Sequence, residues 1–347
     1  MKLPNEVIQY SKKTLNPILS QWNTKHQLPP VLLFYGPEGV GKKEIACYFS
    51  QWLYCTQRDG NHTRPPEEND FKVCHQCSFC IRFQSSHMLD FTLIGSEDKI
   101  KIDQIRTILE KQGFGPSEAP LRIFCIPNAE NLTPQAANAL LKVLEEPPRN
   151  WLFILTVQHP SMLLPTITSR CQKIKFTSIP IVVIEKILNK NSKNLTPEQI
   201  KTIATISQGL WKKALEMMDD SFWENRKKVF SFFASPQKNI SSLLDWTSKT
   251  PENFSFLINQ VELITHDLIL WTLSEKKDFP TSSFDGKEAL EKHVQQLEKK
   301  LTTSKQKQNF WISRIHDISK TRKKISLPLN KKILIQELLF PWIENST

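Results

Sequence analysis

Apolar residues in the first half of the chain come in short unbroken runs, separated by stretches of helical period. The runs at 31–35, 91–94, 123–126, 151–157 and 174–176 are too short for buried helices and read as strands buried on both faces. Between them, Ile45, Phe49 and Leu53 recur at four-residue spacing, and helical patterns cover 102–112 and 134–146. The last of these is well punctuated. Thr133 suits an N-cap, Pro134 the first helical position, and Ala137, Leu140, Leu141 and Leu144 line one face before Pro147-Pro148 stops the helix. Alternating strands and helices predict a mostly parallel sheet covered on both faces. Beyond Pro180 the pattern is helical throughout, and Thr196-Pro197-Glu198-Gln199 reads as a capping box. The expected organisation is an α/β domain over 1–178, a small helical domain over 179–242 and a helical C-terminal domain over 243–347.

Composition narrows the class. A chain of 347 residues has room for two or three domains. No run approaches the ~18 consecutive apolar residues of a membrane span, and Met1-Lys2-Leu3-Pro4-Asn5 lacks the features of a secretory signal. Four of the seven cysteines crowd one region, which points to a reducing compartment and a metal site rather than a disulfide framework. The expectation is a soluble, cytoplasmic protein with no membrane partner.

An excess of 46 basic over 35 acidic residues, +11 in all, suits a polyanionic partner such as nucleic acid, or a lysine-rich surface with no partner. Between Lys292 and Lys332 twelve basic residues face only Glu298 and Asp317, with Phe310 and Trp311 interleaved. Two readings are open there: a stacking surface for single-stranded nucleic acid, or the solvated face of helices whose aromatics turn inward.

Glycine is scarce: nine in the chain, where average usage of ~7% would give about two dozen. Three of them, Gly36, Gly39 and Gly41, fall in Gly36-Pro37-Glu38-Gly39-Val40-Gly41-Lys42, between a predicted strand and a predicted helix. That arrangement is a phosphate-binding loop, in which backbone N–H groups converge on phosphate oxygens and the lysine adds a charge. Hydrolysis also needs Ser or Thr after the lysine to hold magnesium, and here the residue is Lys43. A later strand should end in carboxylates, yet 122–126 runs into Pro127-Asn128-Ala129-Glu130. Both magnesium-handling positions are lost, so the loop is degenerate, and ATP binding is expected to be weak or absent.

Cys55, Cys74, Cys77 and Cys80 bring four thiolates within reach of one another, the donor set of a closed, structural zinc site. His75 and His87 are alternative ligands, and four unliganded thiols are the bland alternative. An iron–sulfur cluster would want a fourth cysteine where Gln84 stands. Cys47, Cys125 and Cys171 lie in core-like runs. Arg170 closes a helical segment before a strand and, in a phosphoryl-transfer setting, suits either a solvated turn or a finger offered to another subunit.

These features occur in a telling order. Gly36 to Lys42, the four cysteines, Ile102-Asp103-Gln104-Ile105-Arg106, Asn138-Ala139-Leu140-Leu141-Lys142-Val143-Leu144-Glu145-Glu146-Pro147-Pro148 and Ser169-Arg170-Cys171 together resemble the AAA+ clamp-loader subunits of bacterial DNA polymerase III. The resemblance covers roughly residues 5–215. It implies an AAA+ P-loop domain with an inserted four-cysteine zinc module at about 55–80, a helical lid and a helical collar domain. It also implies a five-membered ring with gamma or tau ATPase subunits and a delta subunit, which opens the beta sliding clamp and closes it on primer–template DNA. In such a ring Arg170 would reach the ATP site of the adjacent ATPase subunit. The family's sensor arginine falls on Lys212, its sensor threonine on Val157 beside Thr156, and its His–Asp motif on His87-Met88-Leu89-Asp90, one residue longer than usual. Degraded positions beside an intact Arg170 fit a stator that donates a finger without hydrolysing ATP. Alternatives are a gamma/tau-type motor in which Glu130 replaces a lost acid, and a free-standing zinc protein that binds nucleic acid.

Overall fold

A computed structural model describes residues 4–25, 28–56, 71–95, 99–111, 113–192, 194–273, 281–301, 303–324, 327 and 330–344. The chain divides into two compact units, residues 1–187 with 208–212, and residues 188–207 with 213–347.

In the first unit, α1 (Asn5–Lys25) precedes β1 (Val31–Tyr35), α2 (Lys42–Tyr54), α3 (Ser78–Gln84), β2 (Phe91–Leu93), α4 (Ile102–Leu109) and β3 (Arg122–Ile126). There follow α5 (Pro134–Glu145), β4 (Trp151–Val157), the single turn α6 (Pro165–Thr168) and β5 (Gln172–Lys175), and the chain enters α7 (Ile181–Asn191). The five strands form one sheet in the order β2-β3-β4-β1-β5, every pair parallel. Long crossovers are what parallel pairing requires, and the helices between the strands supply them. The result is an α/β architecture. Central β4 is buried along its whole length, whereas edge strand β5 buries only Ile174.

Strand alternation sorts the core. Val31, Leu33, Phe124, Ile126, Trp151, Phe153, Leu155 and Val157 pack with Ile105 and Ile108 of α4 and Leu140, Val143 and Leu144 of α5. Their alternates face the other way, where Cys125 meets Cys47 of α2. Each side chain's neighbour along a strand points to the opposite face, so both faces are covered.

The expected strand at 174–176 is corrected to Gln172–Lys175, with Phe176 just past its end. Pairing with β1 sets the register, Leu32 opposite Gln172 through Tyr35 opposite Lys175. An edge strand needs only alternate apolar residues, so its start carries no apolar signal. The helix expected over 102–112 ends at Leu109, and the one expected over 134–146 ends at Glu145. At the start of α5, Thr133 accepts from the Ala136 N–H and Pro134 occupies the first turn.

The second unit is helical: α8 (Pro197–Ser207), α9 (Trp211–Glu216) apart from its first two residues, which belong to the first unit, α10 (Asp220–Ala234), α11 (Pro236–Lys249), α12 (Pro251–Leu273), α13 (Lys287–Lys300), α14 (Ser304–Lys324) and α15 (Lys331–Glu344). The capping box is present, with the Thr196 N–H donating to Gln199 Oε1 at 2.8 Å and the Gln199 N–H to Thr196 Oγ1 at 3.2 Å. A separate core joins Phe232, Phe233, Leu257, Ile264, Leu290, Leu338 and Trp342 from helices of this unit. No helix among the described residues is long and apolar enough to cross a membrane.

Candidate functional site

β1 hands the chain to the glycine loop at the carboxyl edge of the sheet, where ligands of open parallel sheets bind. A Cβ on Gly36 would sit 2.1 Å from the Phe176 carbonyl oxygen, so only glycine lets the loop pass so close. Gly41 holds the left-handed region, φ 90°, and delivers the chain into α2. The Lys42 ammonium folds back into the loop, donating to the carbonyls of Gly36 and Pro37, each at 2.8 Å. Burial lowers its pKa, while Glu130, Glu38 and Glu44 hold it up. Gly39 accepts from the Lys212 N–H at 2.9 Å, which brings the segment carrying Lys212 onto the loop.

Lys43, next along the chain, is exposed, and an ammonium cannot ligate a cation. At the end of β3, Asn128 takes a left-handed conformation and donates its N–H to Thr156 Oγ1 at 3.1 Å. Thr156 is therefore the hydroxyl at this edge, and Val157 packs into the core. Glu130 accepts from the Gln158 N–H at 3.3 Å through Oε1, while its Oε2 is buried with no hydrogen-bond partner. Two of the three donors of Lys42 thus serve the loop's own carbonyls.

The four cysteine sulfurs lie within 4.8 Å of one another, the one metal-holding group of three or more such ligands among the described residues. A tetrahedron of ~2.3 Å Zn–S bonds has edges of about 3.8 Å, and Cys74 Sγ lies 3.8 Å from Cys80 Sγ. The backbone N–H groups of Gln76 and Cys77 point at Cys74 Sγ, and that of Cys80 at Cys77 Sγ. Donors aimed at sulfur favour thiolates. At Cys77 burial works against ionisation, but hydrogen bonds from Thr56 and Cys80 bring the pKa down to about 6. Burial pushes Cys80 up. The donor set fits zinc, with Cys55 returning from the end of α2 to meet the other three. His75 instead bonds Gln84 at 2.6 Å, and exposed His87 lies outside the cluster. Part of the module expected at 55–80, residues 57–70, lies outside the described residues.

Sequence reasoning missed the task of Asp90. Wholly buried, its carboxylate accepts from the N–H groups of Ser117, Glu118 and Ala119 and pairs with Arg122. Burial opposes its ionisation, and those donors together hold its pKa below the usual carboxylate value. Glu118 bonds Arg82 on α3, so the cysteine module and this loop brace each other. The one signal in the sequence was the acid that closes the His–Asp motif.

Arg170 follows α6 and is half-exposed. Its Nη1 donates to the Thr166 carbonyl and its Nη2 to Glu145 Oε1, both at 2.8 Å. In the basic stretch the aromatics turn inward: Phe310 is buried, and both it and Trp311 stack edge-on against Trp342. Arg322, Lys324 and Lys332 are paired with Glu262, Glu337 and Asp245. That geometry removes the stacking surface.

A family model described as "DNA polymerase III, delta subunit" matches residues 11–180. DNA polymerase III subunit tau of Bacillus subtilis is 31% identical over 61% of this chain and 36% of its own length. Subunit delta' of the same organism is 28% identical over 60% of each chain. The delta' subunit of Buchnera aphidicola from Schizaphis graminum is 26% identical over 71% of this chain and 72% of its own. The chain thus spans between about a third and three fifths of the two Bacillus relatives' length. Among solved structures, a gamma subunit-related protein of Thermotoga maritima aligns over 95% of this chain and 100% of its own, at 18% identity and a TM-score of 0.46.

Proposed function

We propose that the chain, whose residues 11–180 match a family model described as DNA polymerase III, delta subunit, is a DNA polymerase III clamp-loader subunit, and specifically the delta prime subunit, a stator that hydrolyses no ATP itself. Its partners are then gamma or tau ATPase subunits, a delta subunit, the beta sliding clamp and, through the complex, primer–template DNA in the cytoplasm. The division into an AAA+ domain to residue 178, a lid to 242 and a collar domain to 347 belongs to the same reading. One observation carries it: Lys43 and Pro127-Asn128 stand where magnesium would be held, while Arg170 remains half-exposed with donors to spare. Without the metal between phosphates, hydrolysis loses a main source of transition-state stabilisation. An exposed guanidinium can instead stabilise charge on a phosphate held by a neighbour.

Purified alone with magnesium and primed DNA, the chain should show no ATP turnover. In the reconstituted complex, Arg170→Ala should slow one phase of single-turnover hydrolysis by up to ~10³. An unchanged trace would refute the finger.

A second reading, a gamma/tau-type motor with drifted motifs, is favoured by the free oxygen of Glu130 near Lys42 and by the 31% identity to tau. It requires turnover by the isolated chain that Lys42→Ala abolishes.

A further inference from the structure

Two helix ends meet at Arg170. Pro147-Pro148 stops α5, which leaves Glu145 as its last helical residue. A carboxylate is unfavourable there, because the free carbonyls make that end negative. The Arg170 guanidinium crosses to it from the end of α6, with Nη2 on Glu145 Oε1 at 2.8 Å. Nη1 donates at 2.8 Å to the Thr166 carbonyl of α6. The turn itself is tied by the Cys171 thiol, which donates to the Ile167 carbonyl at 3.1 Å.

From this geometry we infer that Glu145 is a positioning residue for Arg170, an inference that rests on the finger role proposed above. Two bonds on different nitrogens fix the plane of a rigid, planar group. Of its five N–H donors, these contacts use one on each terminal nitrogen. The side chain is 35% exposed, so the remaining donors are open to an anion outside the chain. Released from Glu145, the long side chain would sample many rotamers, of which few place those donors on a neighbour's phosphate. The ATP itself would be held by the neighbour's loop. Losing the clamp therefore lowers the rate of hydrolysis and leaves the KM for ATP unchanged. Both partners are open to solvent, 35% and 52% exposed, so the pair contributes little to folding.

The test is single-turnover ATP hydrolysis by the reconstituted complex, in which the site completed by this chain appears as one phase. Glu145→Ala should slow that phase about tenfold, well short of the ~10³ available to the arginine. The KM for ATP, the thermal midpoint of the chain and complex assembly should not move. Glu145→Gln, whose amide oxygen still accepts, should recover most of the loss. On an Arg170→Ala background, Glu145→Ala should add nothing. Slowing by Arg170→Ala but not by Glu145→Ala would overturn the inference and leave the finger standing. So would an equal Glu145→Ala loss on both backgrounds. If Arg170→Ala itself had no effect, the finger and the inference would fall together.

Discussion

His293 shows how far burial can move one side chain's chemistry. Completely buried on α13 between the rings of Phe233 and Trp342, its imidazole has its pKa lowered to about 4 by burial. The folded state therefore binds fewer protons than the unfolded one between about pH 4 and 6.5. Stability is complete above about pH 6.5 and falls as the pH drops through that window. From about pH 7.5 to about 5.0 the loss attributable to His293 should be about 2 kcal/mol. Urea unfolding at the two values, compared with His293→Phe, isolates it, since the phenylalanine variant should lack that portion of the pH dependence. Legibility at this scale follows sequence distance. Gly41 at the entry to α2 and Lys42 on its own loop act on near neighbours and could be read directly, whereas the close approach that requires Gly36 is to Phe176. Asp90 serves N–H groups 27 to 29 residues away, and Glu145 meets an arginine 25 residues on, so neither role was visible.

Among the elements, those with local start and stop chemistry emerged close to where their residues predict. α5 has its cap, its leading proline and its terminating prolines, and α8 has its reciprocal box. α3 is different. At seven residues it is shorter than the ~12–15 at which isolated helices become even marginal in water, and Cys80 is its one buried residue. Its support comes from the cysteine cluster, from Glu118 and from the rings of Phe79 and Phe83 against Tyr54 and Phe91. The purified protein should carry about one zinc per chain, as for a single four-thiolate site. Cys77→Ser should abolish that stoichiometry. Stripping the metal with a chelator should open the segment around residues 74–90 to limited proteolysis, read by mass spectrometry. A metal-free preparation with unchanged cleavage would show that the thiols pack without an ion.

For the whole molecule, the two units hold separate cores, one around the sheet and one among α10 to α15. The helical core also contains a buried polar network. Arg226, 1% exposed, makes a two-pronged pair with Asp285 at 2.7 and 2.9 Å and donates to Gln260 and the Ser282 carbonyl. Asp267, its pKa raised by burial, accepts from Ser282 and Ser283. Removing Arg226 strands the Asp285 carboxylate, whose side chain is 15% exposed, so the cost should stay below the ~3–5 kcal/mol of a fully buried pair. Arg226→Ala should therefore lower one unfolding transition in calorimetry and leave the transition of the sheet unit in place. A single transition shifted as a whole would mean that the units unfold as one.

The amino-acid sequence by itself determined what depends on near neighbours: the strand runs, the caps, the glycine loop and the spacing of Cys74, Cys77 and Cys80. Periods of 2 and 3.6 specify which element forms and which of its faces is apolar. They carry no information on which element that face will meet. Tertiary structure alone decided the order β2-β3-β4-β1-β5 and the start of β5 at Gln172 ahead of its apolar signal. It also turned Phe310 and Trp311 inward and set Arg170 on Glu145. Each of these is a choice among distant partners of similar local chemistry, settled by the burial and hydrogen bonding of the assembled fold.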